Sequence, residues 1–296
     1  MTSATRFTHA IVRRPAESAV DGLRTVDRGA PDVAALRREH AAYVDTLTRL
    51  GLTVDVLDPL EAHPDSVFVE DPALVFPEAA ILLRPGAPSR LGETAALEPV
   101  LRSRFAQVRA LGEAGEHGEG SGGSEGEMEG RHGSADSGTG GRPEPSRDSD
   151  VGFADGGDVL LTCDAVYIGL SARTDLAGAT RLARILASLG RRAVIVTPPP
   201  GVLHLKTGCS LLDDETVLAT RAVADAGLFP GLATVVVPEG EEAVANALCI
   251  NGTVLIAAGF PRTAALLAGR GYAVRDLRLD EVMKLDAGLS CMSLRW

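Results

Sequence analysis

Residues 158–197 read DVLLTCDAVYIGLSARTDLAGATRLARILASLGRRAVIVT. Two short apolar runs, 158–162 and 165–169, flank Cys163-Asp164, which reads as a hairpin turn. Residues 171–174 then lead into a helix from about 175 to 189, closed by Gly190. Residues 193–197 form one more strand. The order is hairpin, helix, strand.

Outward from this stretch the same order recurs. Upstream, 73–83 reads as two strands around Pro77-Glu78, followed by a helix over 93–104 and a strand over 105–110. Downstream, 210–212 and 217–220 flank Asp213-Asp214-Glu215, then come a weak helix after Arg221 and a strand at 234–237. Next, 247–250 and 254–258 flank Asn251-Gly252, a strong hairpin signal, with Pro261 opening a helix and a strand at 272–277. The remaining unit is split across the termini: strand 8–13, helix 32–50 and strand 52–57, with 290–294 able to add the missing strand. Each unit has an apolar face it cannot cover alone, so units must pack on one another. Five of them point to a ring closed by pairing the first and last strands, with loops around a central channel. The expectation is an α/β fold, a five-bladed propeller of ββαβ units with pseudo-fivefold symmetry. Periodicity alone leaves an ordinary α/β sandwich as competitor.

The chain has 296 residues, 45% hydrophobic and 23% charged, enough for a full core. Residues 112–150 stand apart. They are rich in Gly, Ser and Glu, lack aromatics, and hold ten acids against three arginines, so they carry −7 of the net −11. Such composition cannot bury enough apolar surface to offset its ordering entropy. It reads as a disordered insertion in one catalytic domain spanning 1–296. No basic cluster is available to neutralise phosphates, which argues against nucleic acid. No stretch approaches the length of a membrane span, and no secretory leader is evident. The four cysteines, Cys163, Cys209, Cys249 and Cys291, lack C-x-x-C spacing. Three of them read as core residues in a reducing cytoplasm.

Polar residues interrupt the apolar pattern in a few places. Residues 65–72 place Asp65, Glu70 and Asp71 in a strand-like segment, where carboxylates need cations. Asp155-Gly156-Gly157-Asp158 reads as a tight turn, with glycines for positive φ or close approach. His204 lies between Leu203 and Leu205 in what reads as an apolar strand, and Cys291 in a run of small residues. Each has an ordinary core reading beside the catalytic one. Arg84, Arg90 and Arg173 follow hairpins and can pair with an anion.

Six motifs in this order, Asp65-Ser-Val-Phe-Val-Glu70-Asp71, Arg84-Pro-Gly-Ala-Pro-Ser-Arg90, Asp155-Gly-Gly-Asp158, Gly169-Leu-Ser-Ala-Arg173-Thr, Leu203-His204-Leu-Lys-Thr-Gly and Leu285-Asp-Ala-Gly-Leu-Ser-Cys291-Met-Ser, resemble dimethylarginine dimethylaminohydrolases. The resemblance covers nearly all of the chain outside 112–150. It implies the pentein fold, a five-bladed propeller with its active site in the central channel. It implies hydrolysis of methylated arginine, a small-molecule substrate, to citrulline without metal or cofactor. Cys291 then matches the nucleophile and His204 the proton donor. Asp155 matches the carboxylate that orients His204 and contacts the guanidinium; some members carry Glu there. Asp71, with Glu70 beside it, matches a guanidinium ligand. Arg90 and Arg173 match the grip on the α-carboxylate. Asp65 and Leu23 match the surroundings of the amino end, with Leu23 in a lid, and Leu285 a position near the nucleophile. A thiol facing an imidazole could also capture zinc. An arginine deiminase-like hydrolase and a non-catalytic pentein binding module are the alternatives. Monomer and homodimer both stay open.

Overall fold

The chain begins with β1 (His9–Arg13), α1 (Val33–Arg49) and β2 (Thr53–Leu57). A second unit follows: β3 (Ala73–Phe76), β4 (Ala79–Leu82), α2 (Leu91–Arg104) and β5 (Gln107–Ala110). The third is β6 (Val159–Leu161), β7 (Val166–Gly169), α3 (Leu176–Ser188) and β8 (Ala193–Val196). The fourth is β9 (Cys209–Leu211), β10 (Thr216–Ala219), α4 (Arg221–Asp225) and β11 (Ala233–Val236). The fifth is β12 (Leu248–Ile250), β13 (Thr253–Ala257), α5 (Pro261–Ala268) and β14 (Ala273–Leu277). After α6 (Asp280–Met283), the two-residue β15 (Leu294–Arg295) pairs antiparallel with β1 and completes the first unit. This computed structural model describes residues 3–112 and 152–296. The insertion expected at 112–150 therefore lies, apart from Gly112, outside the described residues.

Local chemistry sets these elements. Asp175 caps α3 by accepting the Gly178 N–H at 2.6 Å, and Gly190 ends it at φ 71°. Asn251 and Gly252 take φ of 50° and 90°, the left-handed pair a two-residue hairpin needs. Among the described residues, fifteen strands form five three-stranded sheets, each with one antiparallel and one parallel pairing.

The apolar cores show that the sheets close into a ring. No sheet keeps a core to itself. One cluster joins Ile11 and Leu294 of the first unit to Val75 and Leu82 of the second. Others join Ile81 to Ile168, Tyr167 to Val217, and Leu218 to Val254. The last joins Ala10 and Tyr43 to Ile250 and Leu255, bringing the fifth unit back to the first. Five sheets in an open row would share four cores; here there are five. The inner strands β3, β6, β9, β12 and β15 line a cavity of about 90 Å³ at the centre.

Three local expectations are corrected. Residues 65–71 form consecutive turns rather than a strand, because Phe68 and Asp71 donate their N–H groups to carbonyls three residues back. His204 is not in a strand; it precedes the 3-10 turn Leu205–Thr207, whose Thr207 hydroxyl accepts the His204 N–H at 3.3 Å. Cys163 is half-buried in the β6–β7 turn, so two cysteines, Cys209 and Cys249, are core residues rather than three.

Candidate active site

The glycines of the 155–158 turn explain how the site assembles. Neither has positive φ; both are glycine because other groups come too close for a Cβ. A Cβ on Gly156 would lie 1.9 Å from the Glu70 carbonyl oxygen. One on Gly157 would lie 2.9 Å from Asp71 Oδ1 and from the His204 ring. The turn thus clamps the 65–71 segment against His204. Gly157 N–H donates to Asp71 Oδ1 at 3.0 Å, and Gly156 N–H to the Asp71 carbonyl at 3.0 Å.

His204 Nε2 meets Asp155 Oδ2 at 3.1 Å. Asp155 is fully buried, and its Oδ1 accepts the Gly86 N–H at 2.8 Å. The shorter aspartate therefore reaches the histidine. It lines neither chamber beside His204, so its orienting role has a geometry here and its expected guanidinium contact does not. Burial disfavours the imidazolium. The bond to Asp155 and the fields of Asp71 and Asp158 outweigh that and raise His204 to about 9.

Cys291 sits in the 3-10 turn Ser290–Met292. Asn246 holds this turn: its Oδ1 accepts the Ser290 N–H at 3.0 Å and its Nδ2 donates to the Ser290 hydroxyl at 3.1 Å. The Cys291 carbonyl accepts the Glu70 N–H at 3.2 Å. Burial, then Glu70 and Asp71, push the thiol up to about 12, against the Gly288 N–H and Lys206. Thiol and imidazole both face a chamber of about 110 Å³.

That chamber gathers most of the expected residues: Leu23, Asp65, Asp71, Arg90, Arg173 and Leu285 line it with Cys291 and His204. Their engagements differ. Arg90 is buried and committed within the chain. It donates to Asp71, to Glu93 at 2.7 and 3.0 Å, and to the Phe68 carbonyl at 2.9 Å. It thereby holds Asp71 below the usual carboxylate range despite burial. Arg173, half-buried, has no side-chain partner among the described residues. Of the two arginines expected to grip a carboxylate, Arg173 is the one available. Asp65 accepts the Leu23 N–H at 2.9 Å, tying the 22–29 strap to the chamber wall. Burial raises its carboxyl.

Glu70 is the exception among the expected residues. Its side chain turns away from the chamber into the 90 Å³ cavity. There it meets Lys206 at 2.6 Å, Arg295 at 3.1 Å and the Ser290 hydroxyl at 2.9 Å.

Several contributors were not singled out from sequence. Glu93 partners Arg90, and Asn246 fixes the Cys291 turn. Asp286, held at φ 53°, accepts from Thr25 N–H, from its hydroxyl at 2.6 Å and from Arg28 at 3.2 Å. Lys206 and Asp286 lie inside the matched motifs, so their proximity to His204 and Cys291 was the available signal. Glu93 and Asn246 carried none. Asp71, Asp155 and His204 bring ligand atoms within 4.8 Å of one another and could hold a divalent cation.

A ring of five α/β units with a cysteine and a histidine at a carboxylate-lined chamber is the architecture of a pentein, with a site suited to a cationic group. A family model described as arginine deiminase matches residues 141–243. The chain is 35% identical to N(G),N(G)-dimethylarginine dimethylaminohydrolase of Pseudomonas aeruginosa, over 98% of this chain and 100% of that one. It is 33% identical to the enzyme of the same name from Streptomyces coelicolor, over 97% and 96%. A cysteine-to-serine variant of the Pseudomonas enzyme complexed with citrulline superposes with a TM-score of 0.83, at 34% identity and 98% and 100% coverage. The N-terminal domain of ArgZ, a cyanobacterial arginine dihydrolase, shares the fold with a TM-score of 0.73 at 18% identity, over 97% and 96%. The chain belongs to the dimethylarginine dimethylaminohydrolase family.

Proposed function

We propose that this protein hydrolyses Nω-methylated arginine to citrulline and methylamine or dimethylamine through a covalent Cys291 thiouronium. The observation that carries this is one chamber offering three complementary charges: Asp71 for a guanidinium, unpartnered Arg173 for an α-carboxylate, and Asp65 beside the Leu23 backbone for an α-ammonium. An amino acid ending in a guanidinium matches all three.

Guanidinium is planar and resonance-stabilised, hence a poor electrophile. Each Asp71 oxygen already accepts one bond and keeps a lone pair for a substrate N–H. This fixes the plane toward Cys291. Burial and the two carboxylates favour the neutral thiol, so the arriving cation is what favours the thiolate. Sulfur attacks the central carbon. His204, protonated at neutral pH, gives its proton to the departing nitrogen, since an amine leaves as its conjugate acid. Water, deprotonated by the now neutral His204, then releases citrulline.

The test is to supply asymmetric dimethylarginine and assay citrulline. We expect turnover by the native chain and none by Cys291→Ser; no citrulline, or an active serine variant, overturns the assignment. The arginine deiminase description of the matching family model supports a second reading, arginine itself as substrate. Comparing kcat/KM for the two substrates decides between them. Four cysteines, none of them in a disulfide among the described residues, support a reducing cytoplasmic setting. Among the described residues no helix is long and apolar enough to cross a membrane.

A further inference from the structure

Cys291 and His204 line a second chamber as well as the first. Its volume is about 250 Å³, more than twice the 110 Å³ of the first. The two share Leu203, Ala287 and the Thr25–Asp286 clasp, which passes between them like a bridge. Their remaining walls differ in chemistry. Asp65, Asp71, Arg90 and Arg173 belong to the first chamber alone. The second is walled by Val26, Gly157, Gly201, Ala243, Met283 and Gly288, with neutral Thr207 and Asn246. Apart from His204, its charged members are paired within the chain: Lys206 with Glu70, and Arg28 with Asp286.

This asymmetry assigns the two ends of a substrate. The amino-acid end and the guanidinium plane need charge and belong in the first chamber. The nitrogen that departs, with its substituents, emerges on the other side of the cysteine–histidine pair. We propose that the second chamber receives that nitrogen, and that the enzyme therefore also hydrolyses Nω-alkylarginines with chains longer than methyl, such as Nω-propylarginine. The inference rests on the function proposed above and extends its substrate class.

The chemistry is unchanged and balances. The S–C bond forms at Cys291, the bond from carbon to the alkylated nitrogen breaks, and the His204 proton goes to that nitrogen. Water then adds to carbon, the S–C bond breaks, and the products are citrulline and an alkylammonium. Only the size of the leaving amine changes. Small walls, three glycines and two alanines, leave room for it, and apolar burial rewards each added methylene rather than opposing it.

The experiment uses the full chain with three substrates: asymmetric dimethylarginine, monomethylarginine and Nω-propylarginine. Citrulline and the released amine are both measured. We expect propylarginine kcat/KM within about tenfold of monomethylarginine, the range in which small apolar groups are discriminated. Ala243, exposed at the chamber mouth, has no part in the catalytic set. Ala243→Trp narrows the chamber at its mouth, beyond the reach of a methyl group, and should lower propylarginine turnover at least ~30-fold while monomethylarginine changes less than ~3-fold. The methylated substrate also reports that the variant is folded. Turnover of dimethylarginine but not propylarginine by the native chain overturns the proposal, as does an equal loss on both substrates in the variant. Absence of citrulline from every substrate fails the underlying function instead.

Discussion

Glu70 and Asp71 are neighbours in the chain whose side chains enter opposite sides of the ring. Asp71 turns to the chamber, where Arg90 and the Gly157 N–H hold it beside His204. Glu70 turns to the inner cavity, where Lys206, Arg295 and Ser290 surround it. Both raise the Cys291 thiol, yet one can touch a substrate and the other cannot. On the proposed mechanism the two adjacent carboxylates divide binding from support, and the division is open to measurement.

The largest expected effect is on Asp71. Asp71→Asn removes the guanidinium anchor and leaves Arg90 short of an anion, and kcat/KM should fall about 10³-fold. Glu70→Gln should stay within about tenfold of the native value. Equal losses in steady-state assays would erase the division. Stability should show the reverse emphasis for Glu70. Its variant leaves two largely buried cations without their carboxylate, which costs about 3 kcal/mol in urea unfolding. An unchanged midpoint would remove the supporting role.

The chamber side also predicts a pH dependence. His204 is raised from 6.5 to about 9 in the folded chain. A raised histidine stabilises the fold fully below its unfolded value and loses that contribution as pH rises through the folded one. Stability should decline between pH 6.5 and about 9, by roughly 3 kcal/mol from this group. In His204→Asn that part of the decline should vanish; an identical profile would contradict the assignment. The smallest effect concerns the thiol. Removing the Glu70 charge leaves Lys206 uncompensated near Cys291 and lowers its pKa. Alkylation of Cys291 by iodoacetamide at pH 8 should therefore quicken, about tenfold for each unit lowered. A slower reaction in Glu70→Gln would show that the far side does not tune the nucleophile.

The elements of the ring were legible because their signals are short-range. Asn251-Gly252 encodes its own turn, and Asp175 and Gly190 bracket α3 without help from elsewhere. The site was legible chiefly through motifs, and its misreadings share a cause. Val67-Phe68-Val69 resembles a strand, yet these residues are buried by plugging the core from turns. Leu203-His204-Leu205 resembles one too, although the Thr207 hydroxyl draws the backbone into a 3-10 turn. The direction of Glu70 depends on Lys206 and Arg295, far along the chain, and no local pattern encodes such a pairing. Gly156 and Gly157 carried two readings in the sequence, positive φ or close approach. The carbonyl of Glu70 and the Asp71 carboxylate decide for the second.

The pairing of β15 with β1 has a topological consequence. Trp296 and His9 exchange two backbone hydrogen bonds, at 3.0 and 3.1 Å, so β15 lies against the start of β1 and closes the circle of units. The point at which the chain enters that circle can be moved. A circular permutant that begins at Gly152, ends at Gly112 and joins Trp296 to the N-terminal segment by a short linker keeps all five shared cores. In it Cys291 moves from the last unit of the sequence to its middle, with the described neighbours of Cys291 retained.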